Sequence, residues 1–527
     1  MAFLFGLSCG TPQRRITSPL HTSLETGGDN VARGPVNDVH APIVKFESHG
    51  DSCVQSTVEM YTRYAADAAE AKKTRDERGP LRIAAFSRLW IPPLHATGGM
   101  QFHAYHIYSQ LAARGHYVHV FVTGPPSGQL QKLGYCTDPD TNKTSLCGLD
   151  KARLVVEQVA SKHNSAYSVK WLEECLSVFQ RYHEAQPFHL VHSESWAAVP
   201  NMYQLGLPFA VTWHGSMLDW LRSELNYIAH NYRMMRKMPG PNVMERMKSL
   251  SSVVTLEEYM LLTVPQHIVI SDEAEKNLRE IQHIVPDQIA LIYNGVDRHM
   301  FRPREGQEVR NAFLDEYRVP RNHFIVGCGG RLEAIKGHLQ LSKAMRLIMG
   351  THHDVTLMVA GRGSQGQLYG SMRREGMPVI QLGMLSQENL ARFYQTVDVF
   401  VDPFYQHHGL NTVMIEAALS GVPLVVTDLG SARSVVPCAE YGRRFTLGDV
   451  EGLAREILHY KFHPEEGEAA ARRSRERAMQ LFGSDTMASR YERVFYRLVR
   501  SPPPLEKVTG SLECTSAYPA MCYRKLV

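Results

Sequence analysis

Short apolar runs alternate with helical segments through most of the chain. The run at 82–88 leads into a Gly-bearing loop, a helical pattern that ends at Gly115, and a second apolar run at 117–123. This order predicts the βαβ unit of a parallel sheet. The pattern continues through "FHLVHSE", "PFAVTWHG", "HIVIS" and "IALIYNGVD", with long helical stretches at roughly 218–238 and 244–264.

The same pattern begins again after "FRP" at 301–303. Five apolar runs follow, each ended by Gly, Pro or Asp: "FIVGCGG", "VTLMVAG", "PVIQLG", "VDVFVDP" and "PLVVTD". Unbroken apolar strands are typical of sheets that are covered on both faces. The chain is therefore predicted to form two doubly wound α/β domains joined near 296–305. A ligand is expected in the cleft between them, at the carboxyl ends of the strands.

The two ends of the chain lack this pattern. Residues 1–80 are rich in Gly, Ser, Thr and Asp, and we predict a largely disordered tail with one candidate helix near 58–77. An organelle-targeting segment fits the start of the chain as well as a plain tail does. Because no run of 18 apolar residues occurs, no transmembrane segment is predicted. A soluble protein is expected, with the cytoplasm favoured.

Composition excludes several classes. The net charge of +4 over 527 residues comes without a dense Lys/Arg stripe, so a nucleic-acid partner is not predicted. The nine cysteines show no CxxC or Cys/His spacing typical of zinc sites. A local basic pocket for an anion remains compatible with this composition.

Arg331 and Lys336 are the first candidate site residues. They lie in "GGRLEAIKGH", where a strand ends at two glycines and two cations follow five positions apart. A guanidinium and an ammonium that reach one cleft suit a diphosphate. The alternative is an ordinary strand–turn–helix with two solvated cations.

In the first domain, Gly98 and Gly99 in "TGGM" form the matching loop. They precede a helix whose free N–H groups could face an anion. His214 in "TWHG" lies just past a strand end, which favours a functional role, although a lone histidine is more often structural.

The stretch "HHGLNTVMIE", residues 407–416, carries the third set. Backbone N–H groups of Gly409, Leu410 and Asn411 would open a buried helix and form an anion site. Glu416 lies two turns inside that helix, where a glutamate is costly to bury without partners. The hydroxyls of a ribose would satisfy it, and so would a buried Arg or a backbone group.

Together these motifs resemble the family 4 retaining glycosyltransferases of the GT-B fold, in which two Rossmann-like domains face a cleft. The resemblance favours a plant-type branch and covers about residues 82–500. It rests on the order of these elements: "TGGMQFHAYHIYSQLAARGHYVHVFV", "WHG", "IYNGVDRHMFRP", "GGRLEAIKGH", "VAGRGS", "LGMLS" and "HGLNTVMIEAALSGVPLVVTD".

The resemblance implies a domain plan. It comprises a tail at 1–80, an N-terminal acceptor domain at 81–297, a C-terminal nucleotide-sugar donor domain at 298–480, a helix at 481–500 that packs back towards the N-terminal domain, and a tail at 501–527.

It also implies roles for single residues. Arg331 and Lys336 would hold the donor diphosphate, and Glu416 would bind the ribose hydroxyls. His214 would lie near the donor sugar. The other implied donor-binding positions are Gly98, Gly99, Gly361, Met384, Leu385, Gly409, Leu410 and Asn411, with Met384 and Leu385 flanking the base. Asn294 and Gly295 fall in the family's interdomain hinge signature. No metal and no cofactor besides the co-substrate is implied.

His408 departs from the family motif Glu, seven residues, Glu. The family's first Glu contacts the donor sugar, and here that position is His408, while Glu416 is retained. Asn411 also stands where the family usually has glycine. A neutral imidazole can hydrogen-bond a sugar hydroxyl but does not supply a fixed negative charge. Either sugar preference has changed or catalysis has weakened; activity is favoured because the diphosphate residues and Glu416 remain.

The resemblance thus implies transfer of a sugar from a UDP- or GDP-sugar to an acceptor hydroxyl with retention of configuration. The alternative is a non-catalytic nucleotide-sugar-binding or scaffold protein. A glycoside hydrolase would need a pair of flanking carboxylates, and a Rossmann dehydrogenase a GxGxxG motif. Neither is evident. The acceptor, whether a glycan, a lipid or a small molecule, is undetermined. Basic Arg233, Arg236 and Lys237 would suit an acidic or lipid-interface acceptor, or form a solvated helix face.

Overall fold

The computed structural model describes residues 52–89, 99–123, 135–137, 144–146, 153–159, 169–199, 205–236, 240–407 and 409–502. Gly98, Lys237 and His408, named above, lie outside these ranges. The described residues from Glu59 onward form one compact unit, which contains both sheets.

The first sheet has nine strands among the described residues, in the order β3-β4-β5-β2-β1-β6-β7-β8-β9. They are β1 (Arg82–Leu89), β2 (Tyr117–Thr123), β3 (Tyr135–Thr137), β4 (Thr144–Leu146), β5 (Leu154–Gln158), β6 (Leu190–Glu194), β7 (Phe209–Trp213), β8 (His267–Val269) and β9 (Ile289–Leu291). All neighbours pair in parallel except at the β3–β4–β5 edge, which is antiparallel.

The helices that precede or accompany this sheet are α1 (Ser52–Arg78), α2 (Gly99–Ala113), α3 (Val169–Ala185), α4 (Met217–Met235), α5 (Pro241–Thr263) and α6 (Asp272–Glu280). α2 ends where Gly115 adopts a φ of +100°, as the sequence predicts for a helix stop. α4 and α5 correspond to the two predicted long helical stretches. α1 includes the candidate helix predicted near 58–77, in a region otherwise assigned to a tail.

The second sheet has six parallel strands among the described residues, in the order β12-β11-β10-β13-β14-β15. They are β10 (Phe324–Gly329), β11 (Val355–Ala360), β12 (Val379–Gly383), β13 (Val399–Asp402), β14 (Leu424–Thr427) and β15 (Arg443–Phe445). The helices are α7 (Glu308–Glu316), α8 (His338–Met349), α9 (Gly366–Arg374), α10 (Gln387–Tyr394), α11 (Thr412–Leu419), α12 (Gly430–Arg433), α13 (Val450–Phe462), α14 (Pro464–Leu481) and α15 (Ser484–Arg500).

Both sheets have the buried, apolar strands that the sequence predicted. β6, β7, β11, β13 and β14 are buried along their full length. Side chains in such strands contact layers on both faces, which requires the parallel, helix-covered arrangement. The prediction of two doubly wound α/β domains is therefore confirmed. No helix in the described part of the chain combines the length and apolar character needed to cross a bilayer.

The last helix, α15, packs on the first sheet rather than the second. Its buried residues Tyr491 and Phe495 belong to the same core as Tyr108 and Leu111 of α2. The fully buried Glu492 of α15 accepts hydrogen bonds from Arg75, Arg114 and His116 at 2.7, 2.7 and 2.8 Å. A buried carboxylate is stable only with such partners, so this cluster fixes α15 against α2 and the start of β2.

Two backbone crossings connect the sheets, one near residue 296 and one near residue 483. The crossings touch: Val296 N–H donates to the Phe482 carbonyl at 2.8 Å, and Ser484 N–H donates to the Val296 carbonyl at 3.2 Å. A Cβ on Gly295 would lie only 2.5 Å from Cα of Ser484. Gly295, which the sequence assigned to a hinge signature, is thus required for the close approach of the two segments.

Candidate active site

Loops at the carboxyl ends of β7, β10 and β13 meet between the two sheets. α4 of the first domain contacts the short turn Ala334–Lys336 of the second. Nδ2 of Asn226 lies 2.5 Å from Nε2 of His407, and the His407 N–H donates to Oγ of Ser223 at 2.8 Å. The two domains therefore contact each other closely at the strand ends, where the sequence predicted a ligand.

His214 follows the last residue of β7 and is paired with a carboxylate. Its Nε2 lies 2.6 Å from Oε2 of Glu194, the last residue of β6. The two side chains meet because β6 and β7 are parallel neighbours and end at the same edge. The His214 side chain keeps 12% of its surface exposed, while Glu194 is fully covered. The exposed histidine can therefore contact a ligand while the glutamate orients it.

Glu194 is the centre of a buried polar cluster. Tyr108 donates to its Oε1 at 2.9 Å, and Nε2 of His103 lies 3.9 Å from the same atom. Burial alone would raise the pKa of Glu194, but His103, His214 and His192 together lower it to about 2. Glu194 is thus a carboxylate at neutral pH, held by hydrogen bonds from Tyr108 of α2 and His214 of the β7 loop.

His103 connects this cluster to the hinge and to the last helix. Its Nδ1 lies 3.0 Å from Oδ1 of Asn294, and its Nε2 lies 3.0 Å from the Tyr491 hydroxyl. Burial lowers the pKa of His103 to about 3, so the ring is neutral at physiological pH. Because an amide oxygen accepts only, Nδ1 carries the proton and Nε2 accepts from Tyr491.

His103, Glu194 and His214 also supply the atoms that a metal site would need, since one donor atom of each lies within 4.8 Å of the others. Two imidazoles and a carboxylate are common zinc ligands. His214 and Glu194 are hydrogen-bonded to each other, and His103 is hydrogen-bonded to Asn294 and Tyr491. The expectation of a metal-free site stays a prediction.

Lys336 and Arg331 follow β10 on the opposite side of the junction. Nζ of Lys336 donates to Oδ1 of Asn411 at 2.6 Å. Burial lowers the pKa of Lys336 to about 8, although the Asp402 carboxylate opposes that shift. Nη1 of Arg331 lies 3.2 Å from Oε1 of Glu333, and its side chain is 44% exposed. Both cations lie at the predicted strand end, with Lys336 the more enclosed.

Gly361 lies against this turn rather than in an open cleft. It adopts a φ of +130°, and a Cβ there would lie 1.8 Å from the carbonyl oxygen of Gly330. The position therefore requires glycine for backbone packing between the ends of β10 and β11. This local constraint explains Gly361 without a donor contact; its role in binding stays a prediction.

Gly409, Leu410 and Asn411 open α11, as the sequence predicts. A Cβ on Gly409 would lie 3.2 Å from the carbonyl oxygen of His214, and the Leu410 carbonyl accepts from Nδ2 of Asn294 at 3.4 Å. The N-terminal end of α11 in the second domain is thus beside His214 of the first. The orphan N–H groups of a helix start favour an anion in this position.

Glu416 is buried in α11, and its Oε2 accepts from the Tyr394 hydroxyl at 2.8 Å. Burial raises the pKa of Glu416 to about 7. The residue lines a pocket of about 690 Å³, partly open to solvent, between α2, the hinge and the second domain. Among the other lining residues are Phe102, His106, Asn294, Asp297, Gln387 and Thr412.

The remaining predicted residues lie at the margins. Gly99 is exposed at the first position of α2, and the next turn of that helix lines the Glu416 pocket. Met384 is 53% exposed after β12, and Leu385 is half-buried; their neighbour Gln387 reaches the pocket. Gly98 and His408 lie outside the described residues.

Sequence reasoning missed Glu194, His103 and Asp402. Glu194 ends the apolar run "FHLVHSE", and Asp402 ends "VDVFVD", so both occupy strand ends where functional groups gather. That position was an available signal. His103 gave none, because a histidine in a helical pattern shows its partners only in three dimensions.

Two family models match the chain, one in each domain. The model described as Glycosyltransferase Family 4 matches residues 97–299, and the model described as Glycosyl transferases group 1 matches residues 323–460. The matched segments contain His214 in the first domain and Arg331, Lys336 and Glu416 in the second.

Curated relatives support the same family. The chain is 23% identical over 475 residues to the D-inositol 3-phosphate glycosyltransferase of Streptomyces coelicolor, covering 82% of this chain and 95% of the relative. It is 24% identical over 448 residues to the glycogen synthase of Mycobacterium tuberculosis, covering 79% and 95%. The similarity thus extends through both domains.

Solved structures share the fold. The sucrose-phosphate synthase of Thermosynechococcus elongatus superposes with a TM-score of 0.60 at 20% identity, over 80% of this chain and all of that chain. HepE of Anabaena, in complex with UDP and glucose, gives 0.56 at 16% identity, over 79% and 99%. The catalytic domain of starch synthase IV of Arabidopsis thaliana, bound to ADP and acarbose, gives 0.57 at 13% identity, over 80% and 100%. The architecture is therefore the two-domain, Rossmann-like GT-B fold.

Glycosyltransferase models match a segment of each domain and the fold is GT-B, and these findings support a family 4 glycosyltransferase that uses a nucleotide-sugar donor.

Proposed function

We propose that this glycosyltransferase moves a sugar from a UDP-sugar to an acceptor hydroxyl with retention of configuration and without a metal ion. The observation that carries the proposal is the contact of His214 with Gly409, where a Cβ would lie 3.2 Å from the His214 carbonyl oxygen. Groups from both domains therefore lie close together at the strand ends. The UDP-bound and UDP-glucose-bound structures of HepE support the choice of uridine.

Lys336, Arg331 and the start of α11 would bind the donor diphosphate. Negative charge builds on that group as the bond to the sugar breaks, and fixed cations and N–H donors stabilise it. Lys336 is the strongest candidate because it is half-buried and held by Asn411, so little reorganisation is needed. Arg331 is more exposed and would have to turn from Glu333 to the phosphate.

Glu416 would bind the ribose. Its carboxyl is buried beside one tyrosine hydroxyl and lines the pocket between α2, the hinge and the second domain. Two ribose hydroxyls could donate to the ionised carboxylate, which would offset the cost of burying its charge. The base would then extend toward the loop after β12, where Met384 and Leu385 lie.

His214 would contact the donor sugar or the incoming hydroxyl. Because Nε2 is bound to a carboxylate, a neutral His214 carries its proton there, and Nδ1 is an acceptor. Glu194 would keep that tautomer and orientation, as a carboxylate does for other active-site histidines. In the proposed reaction the acceptor oxygen bonds to the anomeric carbon, the bond to the diphosphate breaks, and the departing phosphate takes the acceptor proton.

The alternative function is that of a nucleotide-sugar-binding protein without transfer activity. It is considered because position 408 is a histidine instead of the family's glutamate. It predicts tight donor binding with neither transfer nor slow hydrolysis. The enzyme predicts hydrolysis of the donor even without an acceptor.

The test combines binding and turnover. UDP, GDP and ADP, and their glucose conjugates, are screened for a rise in melting temperature, since a ligand that binds only the folded state stabilises it. Donor hydrolysis is then followed by NMR, with and without a chelator, and the anomer formed first is identified. Binding of UDP, hydrolysis with retention, and no effect of the chelator are expected. Failure of every nucleotide to bind would overturn the proposal.

A further inference from the structure

Asn411 is the N-cap residue of α11 but does not cap it. Asparagine is among the preferred N-cap residues because its side-chain oxygen accepts an N–H of the first turn. In this structure the Asn411 side chain makes no hydrogen bond to the N–H groups of α11. Its oxygen accepts from Lys336 at 2.6 Å instead. The Asn411 side chain therefore contacts a residue of another element instead of capping its own helix.

The other end of the same amide reaches a buried acid. Nδ2 of Asn411 donates to Oδ2 of Asp402 at 2.8 Å, and Asp402 is 4% exposed at the end of β13. Burial raises the pKa of Asp402 to about 6, opposed by Lys336 and Asn411, so the carboxyl is mostly ionised at neutral pH. One amide therefore connects an ammonium to a buried carboxylate.

We propose that Asn411 and Asp402 are positioning residues that hold the Lys336 ammonium in place for the diphosphate of the donor. The inference rests on the proposed function and extends it to two residues. Asn411 fixes one of the three N–H donors of Lys336, which leaves the other two for phosphate oxygens. Asp402 orients the amide and supplies a counter-charge to the Lys336 ammonium.

The electrostatics of Lys336 are consistent with this arrangement. Desolvation disfavours its charged form, and the Asp402 carboxylate is the largest opposing influence. Glu333 and Cys328 act in the same direction as Asp402, while Arg331 acts against it. Without Asp402, the ammonium would be half-buried beside a guanidinium, and more of it would be neutral at physiological pH.

Four variants separate this role from a general effect on folding. Asn411→Ala removes the bridge, and Asn411→Ser keeps a short N-cap side chain that cannot span both partners. Asp402→Asn keeps the shape and removes the charge. Asn311→Ala, in α7, is the matched asparagine control. Melting temperatures identify the variants that remain folded.

The first readout is the affinity for UDP compared with that for uridine, which lacks phosphates. We expect both Asn411 variants to weaken UDP binding by about tenfold or more, as loss of a charge-assisted contact does, and uridine binding by less than about twofold. Asp402→Asn should weaken UDP selectively as well. Unchanged or tighter UDP binding by folded Asn411→Ser would overturn the proposal.

The second readout needs no ligand. The pH dependence of amine acylation at Lys336, followed by mass spectrometry, reports the titration of that side chain. We expect its midpoint to move to lower pH in Asp402→Asn and to stay at the wild-type value in Asn311→Ala. An unmoved midpoint in Asp402→Asn would overturn the role of Asp402. A wild-type chain that binds no nucleoside diphosphate would overturn the proposed function, and the acylation result would still decide whether Asp402 acts on Lys336.

Discussion

Nε2 of His214 lies 2.6 Å from Oε2 of Glu194, across the ends of two neighbouring parallel strands. The histidine is partly exposed to the cleft, whereas the glutamate is fully buried. The pair therefore presents an oriented imidazole whose partner never meets the substrate.

Glu194→Gln should lower turnover by about tenfold or more, the range seen when a carboxylate behind a functional histidine is removed. The affinity for UDP should change by less than about twofold, because Glu194 does not face the diphosphate. Initial rates and calorimetry measure the two effects. Glu184→Gln, at the exposed end of α3, is the control. Turnover of Glu194→Gln at the wild-type rate would contradict an orienting role.

Lys336→Ala should lower turnover with any accepted donor by at least about tenfold, because it removes a fixed cation from the leaving group. Initial rates at saturating donor give the value. Lys73→Ala is the matched control, since Lys73 is 77% exposed in an i,i+4 pair. Equal rates for the two variants would count against the diphosphate site.

Glu416→Gln should change both stability and nucleoside binding. The carboxyl has a pKa of about 7 in the folded protein and 4.5 as the ordinary value, so the wild type loses stability as pH rises between these values. The variant lacks this loss and should be more stable at pH 8, by up to about 3 kcal/mol. Uridine affinity should fall by about tenfold, since a contact to a charged group is lost.

Denaturant unfolding at pH 5 and pH 8 gives the stability difference. Glu388→Gln, at an exposed position of α10, is the control. A variant that gains no stability at the higher pH would show that Glu416 is already compensated in the free protein.

His408→Glu should change the choice of donor sugar more than the affinity for the nucleotide. The exchange supplies the carboxylate that the family motif has at this position. Relative rates with several UDP-sugars should shift by about tenfold or more, the effect of one contact to a charged group. UDP affinity should stay within about twofold. His353→Glu, at an exposed site, is the control. An unaltered sugar preference would show that the residue at position 408 does not determine the choice of donor sugar.

Glu492→Gln should destabilise the fold by about 3 kcal/mol, since it leaves Arg75, Arg114 and His116 without their buried counter-charge. Burial opposes ionisation of Glu492, but these three partners lower its pKa to about 2. Its contribution is therefore present above the unfolded value of 4.5 and is lost as pH falls toward 2. Denaturant unfolding from pH 7 to pH 3 measures this, with the exposed Glu465→Gln as reference. If the free energy of unfolding changed with pH in the same way for the wild type and for Glu492→Gln, the prediction would be contradicted.

The sequence predicted the features that depend on local residue patterns, namely strands and helix ends. Apolar runs of four to eight residues located most strands, and the glycines at 115 and 409 located a helix stop and a helix start. Lys336 was predicted from its position after a strand, because the carboxyl ends of parallel strands meet at one edge, and Asn411 was predicted from its position at the start of a buried helix.

What the sequence did not reveal depends on contacts between distant segments. Glu194 and His214 are 20 residues apart, and nothing in either stretch alone indicates the pair. The partner of Glu416 is Tyr394, a residue of another helix, so whether its charge is matched by an Arg or a hydroxyl could not be read from its own helix. Likewise, the sequence alone does not show that the Asn411 side chain contacts Lys336 and Asp402 instead of capping its own helix.

The chain leaves the first domain near residue 296 and returns to it at Ser484. Tyr491, on the returning helix, contacts both His103 and Thr212, so the polar cluster around Glu194 is completed by residues encoded after the entire second domain. A chimera that exchanges donor specificity between relatives should therefore transplant only the segment between these crossings. The terminal helix should come from the same parent protein as the first sheet. Otherwise the contacts of Tyr491 with His103 and Thr212 would be lost, and the polar cluster around Glu194 would be incomplete.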